Sequence, residues 1–248
     1  MSRIPIDKNI LLLFDSDPKK RRNAAEALGQ SLNKGAVKPL LNQLEKETVI
    51  EVRRAIILSL SFLGNEEALP IILDVLKNDS DIETRRNAAG GLRFFGEKIN
   101  SVEIFELLLN ETDIDIQNVL VGTIIFLQDD SLIPRLIKVF SKESYKNLKG
   151  CFLEIIGSYD DSRTKELLLE CVQPEIDDDL RLIATRAMGK MNDIKLIPHL
   201  YEVYKSDSCK EIRDCAFKIL EELSIALQYS TIEQMVLDYL DKIKEPET

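Results

Sequence analysis

The chain of 248 residues has no tryptophan, and aromatic residues of any kind make up 6% of it. It has one histidine, His199. A catalytic imidazole needs a nucleophile and an orienting partner. No such set accompanies His199, which follows Pro198 and reads as a polar residue in the first turn of a helix. Basic charge is also scarce: 33 Lys and Arg stand against 43 Asp and Glu, for a net charge of −10. Wrapping nucleic acid needs an electropositive footprint, so that class of partner is excluded. No strand signal precedes a glycine-rich phosphate loop. The four cysteines (Cys151, Cys171, Cys209 and Cys215) form no CxxC pair. Zinc and thioredoxin-like chemistry are therefore not expected, and buried free thiols fit a reducing compartment. Long apolar runs are missing too. The run near the N-terminus, Ile10–Leu13, is too short for a signal segment or a membrane span. These absences together predict a cytoplasmic chain with no cofactor and no metal.

What the chain has is repetition. DSDPKKRRNAAEALG, from Asp15 to Gly29, returns as DSDIETRRNAAGGLRFFG from Asp79 to Gly96. Self-similarity at a fixed period marks a solenoid. A marker position falls at Arg21, Arg53, Arg85, Gln117, Lys146, Arg181 and Arg213, mostly 32 residues apart. A proline opens the second helix of a unit at Pro39, Pro70, Pro134 and Pro198, where its missing N–H would be unpaired in any case. Gly64, Gly96, Gly157 and Asn192 close first helices, as residues tolerant of the left-handed conformation do. Asp17, Asp81, Asp113 and Asp177 stand four residues before the marker. There a carboxylate can accept from free helix N–H groups. Arg one turn on can reach that Asp or the Asp of a neighbouring unit. The expected result is a ladder of Asp17, Arg21, Arg53, Asp81, Arg85, Asp113, Asp177, Arg181 and Arg213 that stitches the units together. PKKRR (Pro18–Arg22) imitates an import tag, but Arg21 is a repeat marker and its use is structural.

Tandem units such as EVRRAIILSLSFLG (Glu51–Gly64) and ETRRNAAGGLRFFG (Glu83–Gly96), each followed by an apolar helix, resemble HEAT repeats. The short period, the Asp/Arg pair and the Gly resemble the subclass first named from phycobilisome lyase subunits. The resemblance implies an all-α fold, a right-handed α-solenoid of about seven helix pairs over residues 1–248. Units would start near 15, 47, 79, 111, 141, 175 and 207. A capping helix would cover 5–14, and another, capped by Ser230 or Thr231, would cover 231–243. First helices would line the convex face and second helices the concave one. Enzymes of this family that hold a di-iron centre use several His-Glu pairs, whereas the sole histidine here is followed by Leu200.

Repeats of this kind serve mainly as surfaces for other molecules. The expected function is a non-catalytic, monomeric scaffold or adaptor that binds another protein on its concave face. The alternative is a chromophore-handling subunit or chaperone similar to a phycobilin lyase. The polar side of the second helices supplies the candidate contact residues: Asp74, Lys77, Glu106, Asn110, Arg135, Lys138, Glu170, Tyr201, Glu202 and Lys205, with Asn42, Glu45 and Glu166 in the same row. Tyr201 and Tyr204 are either interface anchors or residues half-packed on the next repeat. Where the pattern fails, at Gln117, at Lys142–Lys146 and in the acidic loop Glu175–Asp179, a bend or a binding feature is expected.

Overall fold

The computed structural model describes residues 6–191 and 193–244. Pro5, Asn192 and residues 245–248 lie outside them, as do the side chains of Ile6 and Ile243. The chain forms two compact units, divided after Leu127.

The first unit holds eight α-helices: α1 (Ile6–Leu12), α2 (Pro18–Gln30), α3 (Val37–Leu44), α4 (Ile50–Leu63), α5 (Leu69–Asn78), α6 (Ile82–Gly91), α7 (Ser101–Asn110) and α8 (Ile114–Leu127). The second holds α9 (Ile133–Phe140), α10 (Lys149–Ile156), α11 (Ser162–Cys171), α12 (Asp178–Met191), α13 (Ile197–Ser206), α14 (Lys210–Ala226) and α15 (Ile232–Lys244). No strand occurs among the described residues. Each unit is an all-α solenoid. In the first unit α2 packs on α4, α4 on α6, and α6 on α8. In the second α10 packs on α12, and α12 on α14. No helix among the described residues is long and apolar enough to cross a membrane.

Three positions of each first helix build the core. They lie three, four and seven residues after the marker: Ala24, Ala25 and Leu28; Ile56, Ile57 and Leu60; Ala88, Ala89 and Leu92; Leu120, Val121 and Ile124. All twelve are buried. The spacing gathers them on one side of a helix. Burying each large aliphatic residue there stabilises by roughly 1.5–3 kcal/mol. Small residues let the helices approach closely. A Cβ on Gly29 would lie 2.7 Å from the Ser59 side chain, and one on Gly91 would lie 2.0 Å from Ser61 Oγ. Ser59 Oγ also donates to the Ala25 carbonyl of α2 at 2.8 Å.

The same core pattern resets the fifth marker. Phe152, Leu153 and Ile156 are buried, and they lie three, four and seven residues after Lys149. Lys149 is half-buried while Lys146 is exposed. The marker is therefore Lys149, at an even 32-residue interval, not Lys146. The sequence misleads here because 3₁₀ turns over Glu143–Leu148 replace the first turn of the helix.

The turns that follow the first helices also keep the period. Leu32, Gly64, Gly96 and Gln128 all have φ between 48° and 56°. Each lies eleven residues after its marker, whether or not it is glycine. Gly157 does not share this role, since its φ is −64°. Glycine is needed there for space, because a Cβ would meet Ala187 Cβ at 2.7 Å.

Candidate functional site

The ladder exists, but its rungs differ from those expected. Asp17, Asp81, Asp113 and Asp177 do cap helices, accepting from the N–H groups of Lys19, Thr84, Ile116 and Asp179 respectively. Four of the marker arginines, however, reach forward to an acid 26 residues later. Arg21 makes a two-pronged pair with Glu47 at 2.7 and 2.8 Å. Arg53 pairs with Asp79, Arg85 with Glu111 at 3.1 Å, and Arg181 with Asp207 at 2.9 and 3.0 Å. The marker also donates backwards to its own loop. Arg21, Arg53, Gln117 and Arg213 each bond the carbonyl six residues before them. Gln117 thus keeps half of the marker's role. The arginine after the marker adds a second rung, in which Arg54 pairs with Asp81, and Arg86 with Asp113.

Sequence reasoning missed the acids that complete these pairs. Their signal was present: Asp15, Glu47, Asp79, Glu111, Glu143, Glu175 and Asp207 recur at an even 32-residue interval. The acidic loop before α12 belongs to the same scheme, because Arg181 Nη1 bonds the Ile176 carbonyl at 2.5 Å and Asp178 at 2.9 Å. Burial pushes the Glu47 carboxyl up, but hydrogen bonds from Arg21, the Val49 N–H and Gln43 outweigh it and hold the group at about 2. Asp207 is likewise pushed up by burial and held low overall by Arg181 and the Cys209 N–H.

The residues expected to bind a partner fall into separate groups. Asp74 and Lys77 of α5 and Glu106 and Asn110 of α7 line one groove of about 770 Å³. Leu69, Pro70, Leu73 and Leu107 add apolar lining, and Glu103 lines it as well. The lining thus includes three carboxylates (Asp74, Glu103 and Glu106) and one ammonium (Lys77). In the second unit Tyr201, Glu202 and Lys205 of α13 line a groove of about 620 Å³ with Val236 and Leu240 of α15. Tyr204 does not line this groove but stays beside it, its ring 6.0 Å from that of Tyr201. Its ring packs on Phe217 of α14, 5.4 Å between centroids, at the edge of the core cluster of Val203, Ile212 and Ala216. Arg135 and Lys138 of α9, and Glu166 and Glu170 of α11, are exposed and line neither groove, as are Asn42 and Glu45 in the first unit. His199 is exposed and borders a smaller hollow with Gln173 and Glu202. Burial pushes the Cys171 thiol up to about 11, so it stays protonated and acts as a small apolar residue.

A family model described as HEAT repeats matches residues 6–93. The repeats in this stretch are HEAT repeats. Comparison with curated proteins gives no match. Two solved structures similar to the chain are the complex of CpcE and CpcF of phycocyanin lyase from Nostoc and human deoxyhypusine hydroxylase in complex with glycerol. The first is 18% identical over 98% of this chain and 96% of that one, with a TM-score of 0.48. The second is 15% identical over 88% of this chain and 84% of that one, with a TM-score of 0.41. The match takes in α5, whereas α7 lies beyond it. In the pairs α4–α5 and α6–α7 the first helix carries the marker and the buried stripe, and the second helix supplies the groove's lining.

Proposed function

We propose that this HEAT-repeat chain is a non-catalytic scaffold that binds another protein along the open face of its second helices. The observation that carries this reading is the groove between α5 and α7. It gathers Asp74, Lys77, Glu106 and Asn110 beside Leu69, Pro70, Leu73 and Leu107. An apolar base with a few convergent polar groups suits a peptide segment of a partner. The excess of carboxylates favours a segment that carries Lys or Arg, and the net charge of −10 favours a protein over a nucleic acid. Free cysteines support a reducing, cytoplasmic setting. The test is native affinity purification with mass spectrometry, run on the wild type and on Asp74→Lys/Glu106→Lys. A partner recovered reproducibly with the wild type and lost with the variant is the expected result. Recovery that is equal for both, or no reproducible partner, overturns the reading.

A further inference from the structure

The second helices α5 and α13 share a pattern across the two units. PIILDVLK (Pro70–Lys77) returns, four repeat lengths later, as PHLYEVYK (Pro198–Lys205). The shared Pro and Val belong to the repeat. Pro opens each helix, Val75 and Val203 are buried, and α9 has both residues as Pro134 and Val139. The acid and the lysine do not belong to it. At the positions of Asp74 and Lys77 the three intervening repeats carry Glu106 and Leu109, Lys138 and Ser141, and Glu170 and Gln173. Of these five repeats, those of α5 and α13 alone follow an acid with a lysine one helical turn on.

The two patterns are placed alike. Pro70, Leu73, Asp74 and Lys77 line the groove between α5 and α7, and their equivalents Pro198, Tyr201, Glu202 and Lys205 line the groove between α13 and α15. All four charged groups are exposed. Elsewhere in the chain opposite charges at this spacing meet, as Glu83 and Arg86 do at 2.7 Å and Asp178 and Arg181 at 2.9 Å. Here they stay apart. Asp74 accepts from the Asn78 amide at 2.8 Å, and the Lys205 ammonium lies 5.9 and 5.6 Å from the ring centres of Tyr201 and Tyr204. Among the described residues neither acid and neither lysine has an ion-pair partner. Charges offered by one surface are met by opposite charges on its partner. We infer that both grooves take one class of occupant: a peptide segment of a partner protein with Lys or Arg for the acid and Asp or Glu for the lysine, about one helical turn apart, and an apolar side chain for Leu73 or Tyr201. The chain takes two such segments, one in each unit. This rests on the proposed role of the α5–α7 groove and adds a second site of like specificity. The other helix of each groove tunes it, since α7 contributes Glu103 and Glu106, and α15 contributes Val236 and Leu240. The first groove should favour a further basic residue, and the second a further apolar one.

The test selects phage-displayed random short peptides on two full-chain variants: Glu202→Lys, which keeps the first groove, and Asp74→Lys, which keeps the second. Both positions are exposed, so helical content and melting temperature should match the wild type. Both selections should enrich Lys or Arg with Asp or Glu one turn apart. A synthetic peptide from either selection should bind the wild type with two equivalents per chain in titration calorimetry, and each variant with one. Replacing its basic residue with Glu should weaken both sites by at least about tenfold. Enrichment on Glu202→Lys alone, unrelated charge patterns from the two variants, or a single equivalent on the wild type overturns the shared specificity and leaves the α5–α7 groove as a binding site. Undiminished binding to Asp74→Lys/Glu202→Lys places the peptide elsewhere and overturns the inference equally. Enrichment on Asp74→Lys alone, or on neither variant, overturns the reading of the first groove as well.

Discussion

The two units hold their repeats together in different ways. In the first, three successive markers, Arg21, Arg53 and Arg85, pair forward, and Arg54 and Arg86 add a parallel set. In the second, among the described residues, the forward pairing of a marker is Arg181 with Asp207, and Lys165 joins Asp160 and Asp193 nearby. Arg181 is the most buried of the pairing markers, against 13% and 27% exposure for Arg21 and Arg53, although Glu47 and Asp79 are as buried as Asp207. The side chains of Arg181 and Asp207 are 3% and 5% exposed, against 21% and 10% for Arg85 and Glu111. A shared, partly solvated ladder tolerates losing a rung, because water and the parallel arginine take over part of the load. The Arg181 pair tolerates it less, since Asp207 without Arg181 is a buried carboxylate that has lost its two-pronged partner.

The sharpest way to break this contrast is Arg181→Ala. It leaves Asp207 buried without its cation and should destabilise the second unit by about 3–5 kcal/mol in chemical denaturation. A loss no larger than that of Arg85→Ala would erase the difference between the units.

Acid sharpens the contrast from the other side. Glu47 titrates at about 2 in the folded chain, against an ordinary value of 4.5. A carboxyl held low in the fold binds its proton more readily once unfolded. Its stabilisation, on the order of 3 kcal/mol, is therefore complete above about pH 4.5 and fades as pH falls towards 2. Glu47→Gln should flatten the low-pH limb of the first unit's stability curve. An unchanged limb would mean that the pair with Arg21 contributes nothing to acid sensitivity.

The smallest effects belong to the half-exposed rungs. Arg85→Ala should destabilise by about 1–3 kcal/mol through its lost pair and packing. Arg54→Ala, whose side chain is 35% exposed, should lie nearer 1 kcal/mol. Equal denaturation midpoints for wild type and Arg85→Ala would show that the first unit's ladder is not a source of stability.

The helix pairs were legible because their causes are local. Pro in a first turn, Asp ahead of a helix and a buried stripe at helical spacing each act within a few residues. The partner of the marker was not legible for the opposite reason. Two acids precede each Arg in the first and third units, Asp15 and Asp17, then Asp79 and Asp81. Asp81 both caps α6 and pairs with Arg54, while Asp79 takes Arg53, a division set by how the second helix returns the chain over the 26-residue reach. Lys149 was hidden by the 3₁₀ turns before it, and Gly157 by a crowding that only the neighbouring Ala187 reveals. Of the candidate contact residues, Asp74, Lys77, Glu106 and Asn110 converge because α5 and α7 are equivalent helices of adjacent repeats. Tyr204 diverges because its neighbour in space, Phe217, comes from a first helix.

The contrast also separates what holds the chain together from what it offers to others. The ladder occupies the loops and helix starts, while Asp74, Lys77, Glu106 and Asn110 line the groove between α5 and α7. Site-specific photo-crosslinking tests this division most directly. A photoreactive side chain is placed at Asn110, in the groove, and in a separate variant at Glu67, which is exposed in the turn before α5. Position 110 should yield an adduct with one other protein in the native cell, and position 67 should not. Adducts of the same partner from both positions, or from 67 alone, would contradict a role for the second-helix groove.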